Sequence, residues 1–374
     1  MPQKETKTIS NKPRPLRPSL VIINSEQFGY NPATYYYCKY LCDRYSITYI
    51  CWDHGLKKVG LPDVKVVYVK RKRSIGRIFL FLKEVLYRTK SPDTIIFIKY
   101  FKVISTITRL LRRNNPLVLD IRTGSVEPSP LLRFIQDTIL KIECLFFNNI
   151  TVISKGLACK LGLEKKSTIL PLGADIISET TKKFDSLRLL YVGTLYNRNI
   201  NKALEGFVKF YYSSPEIKSA RFTIIGDGPS DEVKQLKKIV THHNLQGVVD
   251  VIGVVPHNQL KPYFDDHNVG LSYVPMTPYF DVQPPTKTFE YLLSGMAVIA
   301  TATSENRRVI NESNGVLTGD SPEAIAQGLV SLKKKMAMFN SNRIRKNGSQ
   351  YSWEKITRKL DWYLQEVVLN KERK

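Results

Sequence analysis

The sequence predicts two doubly wound α/β domains in tandem. Three observations lead there. Short β-branched runs alternate with stretches of helical period, the pattern of strands joined by helical crossovers. The alternation stops at a polar connector and then starts again. The length, 374 residues, holds two domains of roughly 150 residues each.

The elements follow in order. LVIIN (20–24), ITYICW (47–52), VKVVYV (64–69), TIIFIK (94–99), PLVLDI (116–121) and NITVIS (149–154) read as buried strands. They are near-continuous apolar runs, as in parallel sheets covered on both faces. Between them, ATYYYCKYLCDRY, IGRIFLFLKEVLYR, VISTITRLLRR and LLRFIQDTILKIECLFF carry helical period. STILPLGADIISETTKKFDS is a polar connector. The pattern resumes with strands at LRLLYVG (187–193), ARFTIIGDG (220–228), VVDVIGVV, VGLSYVP, MAVIATA and GVLTGD. The helices between these are ALEGFVKFYYSS, DEVKQLKKIVTHHN, QLKPYFDDHN and TKTFEYLLSG, with SPEAIAQGLVSLKKKMAMF after the last strand. The tail YSWEKITRKLDWYLQEVVLNKERK is one long amphipathic helix. The expected organisation is a disordered basic arm over 1–18, a first domain over 19–172, a linker over 173–186, a second domain over 187–347 and a final helical segment over 348–374.

Composition narrows the function classes. Hydrophobic residues at 43% and charged residues at 24% exclude a disordered or collagenous chain. No run approaches the roughly 18 apolar residues that span a bilayer. The net charge is +24, and residues 1–172 hold 30 Lys/Arg against 12 Asp/Glu. Such a basic half calls for an anionic partner: nucleic acid, an acidic membrane surface or a phosphorylated substrate. Five cysteines without CxxC spacing argue against a disulfide framework or zinc finger, and predict reduced thiols in a cytoplasmic protein. The basic cluster and apolar helix over 69–90 read either as an interfacial membrane helix or as a sheet-packed helix with a solvated basic end. In open parallel sheets, ligands bind at the carboxyl ends of strands, so the cleft between the two domains is the expected site.

The second half resembles the family-4-like glycosyltransferases of the GT-B fold. LLYVGTLYNRNINKALEGF, FTIIGDGP, VDVIGVVPHNQLKPYFDDHNVGLSYVP, PPTKTFEYLLSGMAVIATATSENRRVI and YSWEKITRKLDWYL carry the match in family order, over roughly residues 187–366. Residues 1–172 match in general layout only. The resemblance implies two Rossmann-like domains facing across a cleft. The first would bind the acceptor and the second a nucleotide-sugar donor, with a C-terminal helix crossing back to the first domain. It further implies a retaining, metal-independent hexosyltransferase with no bound cofactor, acting in cell-surface polysaccharide assembly. The acceptor would be a glycan or lipid-linked glycan. The place would be the cytoplasm or the inner face of the membrane.

Residue by residue, the match puts Gly193 and Thr194 at a strand end where the backbone can approach a diphosphate, with Arg198 neutralising the leaving group and Lys202 a turn further on. Glu290 would hold the ribose hydroxyls as the second acid of an E-x7-E motif, with Lys287 one turn earlier. The first acid of that motif is missing: Val282 stands there, beside Asp281. Asp227 and Val254 fall on strand-end turns near the nucleotide and its base. In the first domain, Asp120 and Arg122 are candidates for the reacting centre or, equally, a structural ion pair. Gly29, Tyr30 and His54 follow strands and are candidates for the acceptor side. His242, His243, His257 and His267 show no metal spacing, and none is expected to bind metal.

Three other functions compete: a basic nucleic-acid-binding protein, a catalytically silent partner subunit and a nucleotide-sugar epimerase. No RRM, OB or KH motif supports the first, and no nucleic-acid partner is expected. Arg198 and Glu290 are both present, against the second. The third wants a clearer acid–base set.

Overall fold

The computed structural model describes residues 17–372, apart from 72–75, 126, 128, 227 and 229. Most of the arm expected over 1–18 therefore lies outside the described residues.

The first half runs β1 (Ser19–Ile23), α1 (Pro32–Leu41), β2 (Ser46–Asp53), β3 (Val64–Lys70), α2 (Gly76–Arg88), β4 (Ile95–Lys99), α3 (Ile104–Leu111), β5 (Leu117–Ile121), α4 (Pro130–Cys144), β6 (Asn149–Val152), α5 (Lys155–Leu161) and β7 (Ser167–Ile169). Its sheet is ordered β3-β2-β1-β4-β5-β6-β7, and every pairing is parallel. Apolar runs make these strands because both faces are covered. One core lies between the sheet and α2 to α5. The other lies between the sheet, α1 and the last helix of the chain.

The second half runs β8 (Arg188–Val192), α6 (Ile200–Tyr212), β9 (Arg221–Ile225), α7 (Ser230–His242), β10 (Val249–Gly253), α8 (Lys261–Asp266), β11 (Val269–Ser272), α9 (Thr286–Leu293), β12 (Ala297–Thr301), α10 (Ser304–Arg307), β13 (Gly315–Thr318), α11 (Pro322–Lys335), α12 (Ser341–Gly348) and α13 (Trp353–Glu372). Its sheet is ordered β10-β9-β8-β11-β12-β13, again all parallel. The chain thus forms two parallel α/β sheets, the two-domain architecture the sequence predicts. Strand order reverses between β1 and β4 in one sheet and between β8 and β11 in the other, and loops diverge from the strand ends there.

The sequence reading missed several elements. β7, read as part of the connector, is a three-residue edge strand, too short for any periodic signal. The helices α5, α10 and α12 were also missed. They are short, and side-chain caps mark their starts: Ser154 accepts from the Leu157 N–H, Thr303 from Asn306 and Asn340 from Arg343.

The last helix docks on the first sheet. Trp353, Ile356, Leu360, Leu364 and Val367, on one helical stripe, bury against the α1 side of that sheet. The Trp353 ring stacks on Tyr36 at 5.2 Å and 11°. The Asp361 carboxylate accepts from Tyr45 Oη at 2.8 Å and pairs with Arg44. The connector joins in: Ala174 N donates to Tyr351 O at 2.9 Å, and Trp353 N donates back to Ala174 O at 3.3 Å. The α2 segment, one candidate for an interfacial helix, packs Phe81 and Val85 into the core, with Ile78, Leu80 and Leu82 against it. No helix among the described residues is long and apolar enough to cross a membrane.

Candidate functional site

The switch point of the second sheet brings together the loop after β8 and the start of α9. Gly193, at the end of β8, has φ +149. A Cβ there would lie 3.0 Å from Lys287 Nζ, so a bare backbone lets the ammonium reach the strand end. Lys287 Nζ sits 3.8 Å from the centroid of the Tyr191 ring. Tyr191 Oη donates to Thr194 O at 2.7 Å, and Tyr291 Oη accepts from Val192 N at 2.9 Å. These two tyrosines hold the turn from below. The Arg198 guanidinium lies 4.2 Å over Phe280, in the loop after β11.

Two cations thus share one corner. Burial, and secondarily Arg198, push the Lys287 ammonium well below the ordinary lysine range, while Glu290 pulls it back up. A corner that disfavours its own positive charge is one that an anion would stabilise. Glu290 lies on α9 one turn beyond Lys287 and is mostly buried, with 14% of its side chain exposed. Its carboxylate faces His257 Nε2 at 3.5 Å. The hydrogen bond to Glu290 raises the pKa of His257 above the ordinary histidine value.

The sign of that shift gives a test. A raised folded value means the pair stabilises the fold at acid pH, and the contribution is lost as pH rises through the His257 midpoint. In Glu290→Gln the His257 midpoint, followed by NMR, should fall below its wild-type value. An unchanged midpoint would show that the two groups do not interact in solution.

The other donor-side candidates are spread along the same edge. Thr194 and Lys202 are exposed, and Val254 is exposed beside Gly253, whose φ is +87. Asp227 lies outside the described residues. Asp281 is committed elsewhere: its carboxylate accepts from Ser304 N at 2.8 Å and Ser304 Oγ at 2.5 Å, holding the start of α10. Val282, in the place of the missing acid, packs on the first-domain core, and its carbonyl accepts from Ser154 Oγ at 2.7 Å.

That contact joins the two strand-end edges. Gln283 Nε2 donates to Thr123 Oγ1 at 2.6 Å, and Arg133 of α4 sits 5.7 Å over Tyr279. Glu305, in α10, lies against Gly156 of α5. The 279–285 loop thus touches the first domain beyond β5 and β6.

In the first domain, one expectation is corrected. Asp120 is fully buried and receives Arg122 Nε at 2.7 Å and Thr151 Oγ1 at 2.7 Å. Arg122 also donates to Leu170 O at 3.0 Å and to the Tyr37 hydroxyl. The two residues are a structural ion pair that ties β5 to the segment after β7 and to α1. Their charges satisfy each other inside the domain, so neither is a group for the reacting centre.

Gly29, Tyr30 and His54 do come together. Gln27 joins their loops, accepting from His54 N at 2.9 Å and donating to Leu56 O at 2.8 Å. Tyr30 Oη donates to Lys57 O at 3.0 Å, and His54 Nε2 lies 2.9 Å from Ser25 O. Gly29 has φ +90, and a side chain there would strike Val59. This edge is a stitched pair of loops with an exposed aromatic and an exposed imidazole.

Sequence reasoning missed His257, Tyr191 and Phe280 as parts of the site. Tyr191 reads as strand core, Phe280 as loop, and His257 follows a strand without any spacing that marks a partner. Only the juxtaposition of β8, β10 and α9 assembles them. Among the described residues, no group of three His, Cys, Asp or Glu is placed to hold a metal ion.

Comparison with known proteins gives the arrangement a context. A family model described as glycosyl transferases group 1 matches residues 186–335. No curated protein matches the chain. Among solved structures, sucrose-phosphate synthase from Thermosynechococcus elongatus is similar at TM-score 0.72 and 16% identity, over 95% of this chain and 100% of that one. HepE from Anabaena, solved in complex with UDP, is similar at TM-score 0.72 and 14% identity, over 93% and 100%. The lipopolysaccharide outer core galactosyltransferase WaaB is similar at TM-score 0.69 and 13% identity, over 94% and 99%. At such identities the likeness establishes the fold. The family match across β8 to α11, about two-fifths of the chain, together with these likenesses in fold supports a glycosyltransferase enzyme of GT-B fold.

Proposed function

We propose that the enzyme moves a hexose from a nucleotide diphosphate sugar to a hydroxyl of a glycan, carried on a lipid, in cell-surface polysaccharide assembly at the inner face of the membrane. The observation that carries this reading is the corner where Lys287 meets the bare backbone of Gly193 with Arg198 close enough to act on its charge, and with Glu290 one turn away. The diphosphate takes the cationic corner, and Glu290 accepts from the ribose hydroxyls. The backbone of the 253–255 turn, where Val254 is exposed, receives the base. Residues 187–347 bind the donor, and residues 19–172 bind the acceptor along the Gly29, Tyr30 and His54 edge.

Arg198 and Lys287 supply the charge that stabilises the departing diphosphate, so the reaction proceeds without a metal. The family resemblance supports retention of configuration. The acceptor oxygen then bonds to the anomeric carbon on the face the diphosphate leaves, and no enzymic nucleophile is assigned. UDP is the first nucleotide to try, because HepE was solved with UDP and a trehalose-6-phosphate protein of similar fold with UDP-2-fluoro glucose.

The test is calorimetric titration with UDP, GDP and ADP, with and without divalent metal. One nucleotide should bind saturably in the absence of metal. Glu290→Ala should weaken it by about 1–3 kcal/mol, the worth of a hydrogen bond to a charged group. Equal affinity in the variant would remove Glu290 from the ribose, and binding that requires metal would overturn the metal-free reading.

A second reading has one observation behind it. Val282 is packed against the first domain and Asp281 is engaged by Ser304, so neither offers an acid to the donor sugar. A silent partner subunit would bind nucleotide and never turn donor over. Slow hydrolysis of the sugar nucleotide, or transfer to a supplied acceptor, decides between the two.

A further inference from the structure

The helix α4 buries both of its acids and exposes a row of large apolar side chains. Its two acids point inward. Asp137 pairs with Lys160 at 2.8 Å and accepts from Ser125 N at 2.8 Å. Glu143 accepts from Thr106 Oγ1 at 2.8 Å and from Val103 N at 3.2 Å. Leu140 and Cys144 join the core, but several of its bulkier apolar residues point outward. Leu131 is 67% exposed, Phe134 69%, and Leu145, just past the helix, 72%. Leu132, Ile135, Ile142 and Phe146 are exposed beside them.

The pattern extends to the neighbouring helices. Phe79 and Tyr87 of α2 and Leu110 and Leu111 of α3 are exposed. A groove of about 650 Å³ runs between these helices, lined by Phe79, Leu82, Tyr87 and Leu111 among others. Helices α2, α3 and α4 cover the same side of the first sheet. About half of the large apolar side chains exposed among the described residues stand on this layer. Scattered exposed leucines need no explanation, but a contiguous layer of them marks an interaction surface.

Charge identifies the partner. Lys83, Lys90, Lys102, Arg113 and Lys141 are exposed on the same three helices and their turns, while α4 hides its acids. Bulky apolar side chains among solvated cations fit the boundary between lipid headgroups and acyl chains. A protein partner with an apolar patch would not call for this excess of cations.

We infer that the outer face of α2, α3 and α4 docks on an anionic bilayer surface, with Leu131, Phe134 and Leu145 entering the headgroup layer. The face is continuous with the cleft mouth, because Arg133 in the first turn of α4 lies over Tyr279 of the donor-side loop. A glycan whose lipid anchor stays in the bilayer is thereby presented beside the site. This placement deepens the lipid-linked-acceptor reading above and rests on it for its purpose, but the surface itself is tested separately.

The experiment is flotation of the full chain with two kinds of vesicle, phosphatidylcholine alone and phosphatidylcholine with about one-third phosphatidylglycerol. The expected result is binding to the anionic vesicles that weakens with salt and is much weaker on the neutral ones. The double substitution Phe134→Ser and Leu145→Ser should weaken it at least about tenfold, given the apolar area withdrawn. Both positions are exposed, so the thermal midpoint and nucleotide affinity should not change. Failure of the wild type to bind anionic vesicles, or equal binding by the double variant, overturns the inference. So does a wild-type dimer in light scattering that the double variant dissolves, since a second copy would then cover the face. Vesicle binding without binding of any nucleotide would leave this surface in place and remove the donor reading instead.

Discussion

Replacing Arg198 with alanine is expected to lower kcat by on the order of 10²–10³-fold, the usual loss when one preorganised stabiliser of a developing charge is removed. The guanidinium is held by stacking on Phe280 at 4.2 Å, so it is positioned before donor arrives. Its charge matters most when the diphosphate leaves, because negative charge builds on the bridging oxygen at that point. The donor Kd should therefore move less than kcat. Arg198→Lys should recover only part of the loss, since an ammonium lacks the planar fork that engages two phosphate oxygens. Lys287 shares the same corner, so combining Lys287→Ala with Arg198→Ala should cost less than the two single effects together. Steady-state kinetics alongside calorimetric donor affinity provides the check. An unchanged kcat in Arg198→Ala would place the charge compensation elsewhere.

Trp353→Ala is expected to destabilise the protein by about 3–5 kcal/mol, as for a large aromatic removed from a packed core. Trp353 is 2% exposed. It stacks on Tyr36 and meets Tyr37 edge-on at 6.1 Å. It also covers Gly173, where a side chain would clash with the indole. The same residue begins the helix that ties the end of the chain to the first sheet. Its loss therefore loosens α13 as well as leaving a cavity. Urea unfolding followed by first-domain tyrosine fluorescence would read the change. A shift under about 1 kcal/mol would show that α13 is not held through this ring.

Much of the architecture was legible in the sequence because parallel strands buried on both faces leave continuous apolar runs. Of the thirteen strands among the described residues, twelve were visible that way, and β7, with three residues at an edge, was not. Gly193 and Arg198 were legible as neighbours after one strand, and Lys287 and Glu290 as neighbours on one helix, while only the fold brings the two pairs to one switch point. Other assignments failed for a physical reason. Asp120 and Arg122 stand two residues apart at a strand end, which fits an active-site pair and a buried ion pair equally. Only their burial, with Thr151 and Tyr37 as further partners, separates the two. Asp281 stands next to the missing acid in sequence, and only the fold sets Ser304 against its carboxylate. The 69–90 segment left two readings open; in the fold α2 packs Phe81 and Val85 into the core while Phe79 and Tyr87 stay exposed, and α4 exposes apolar residues beside it that the sequence reading did not single out.

By itself, then, the sequence determined what depends on local order: the alternation of strands and helices, the restart that makes two domains, the charge of the first half, and the short motif that places Lys287 and Glu290 one turn apart on α9. Only the tertiary structure decided what depends on contacts between distant segments. It set His257 against Glu290, spent Asp281 on α10, packed Val282 on the first domain, and chose which face of α4 meets the core. Periodicity shows that a helix has two faces, but which one is buried is settled by the partners that the acids find, and for α4 those partners lie on α3, α5 and the loop after β5.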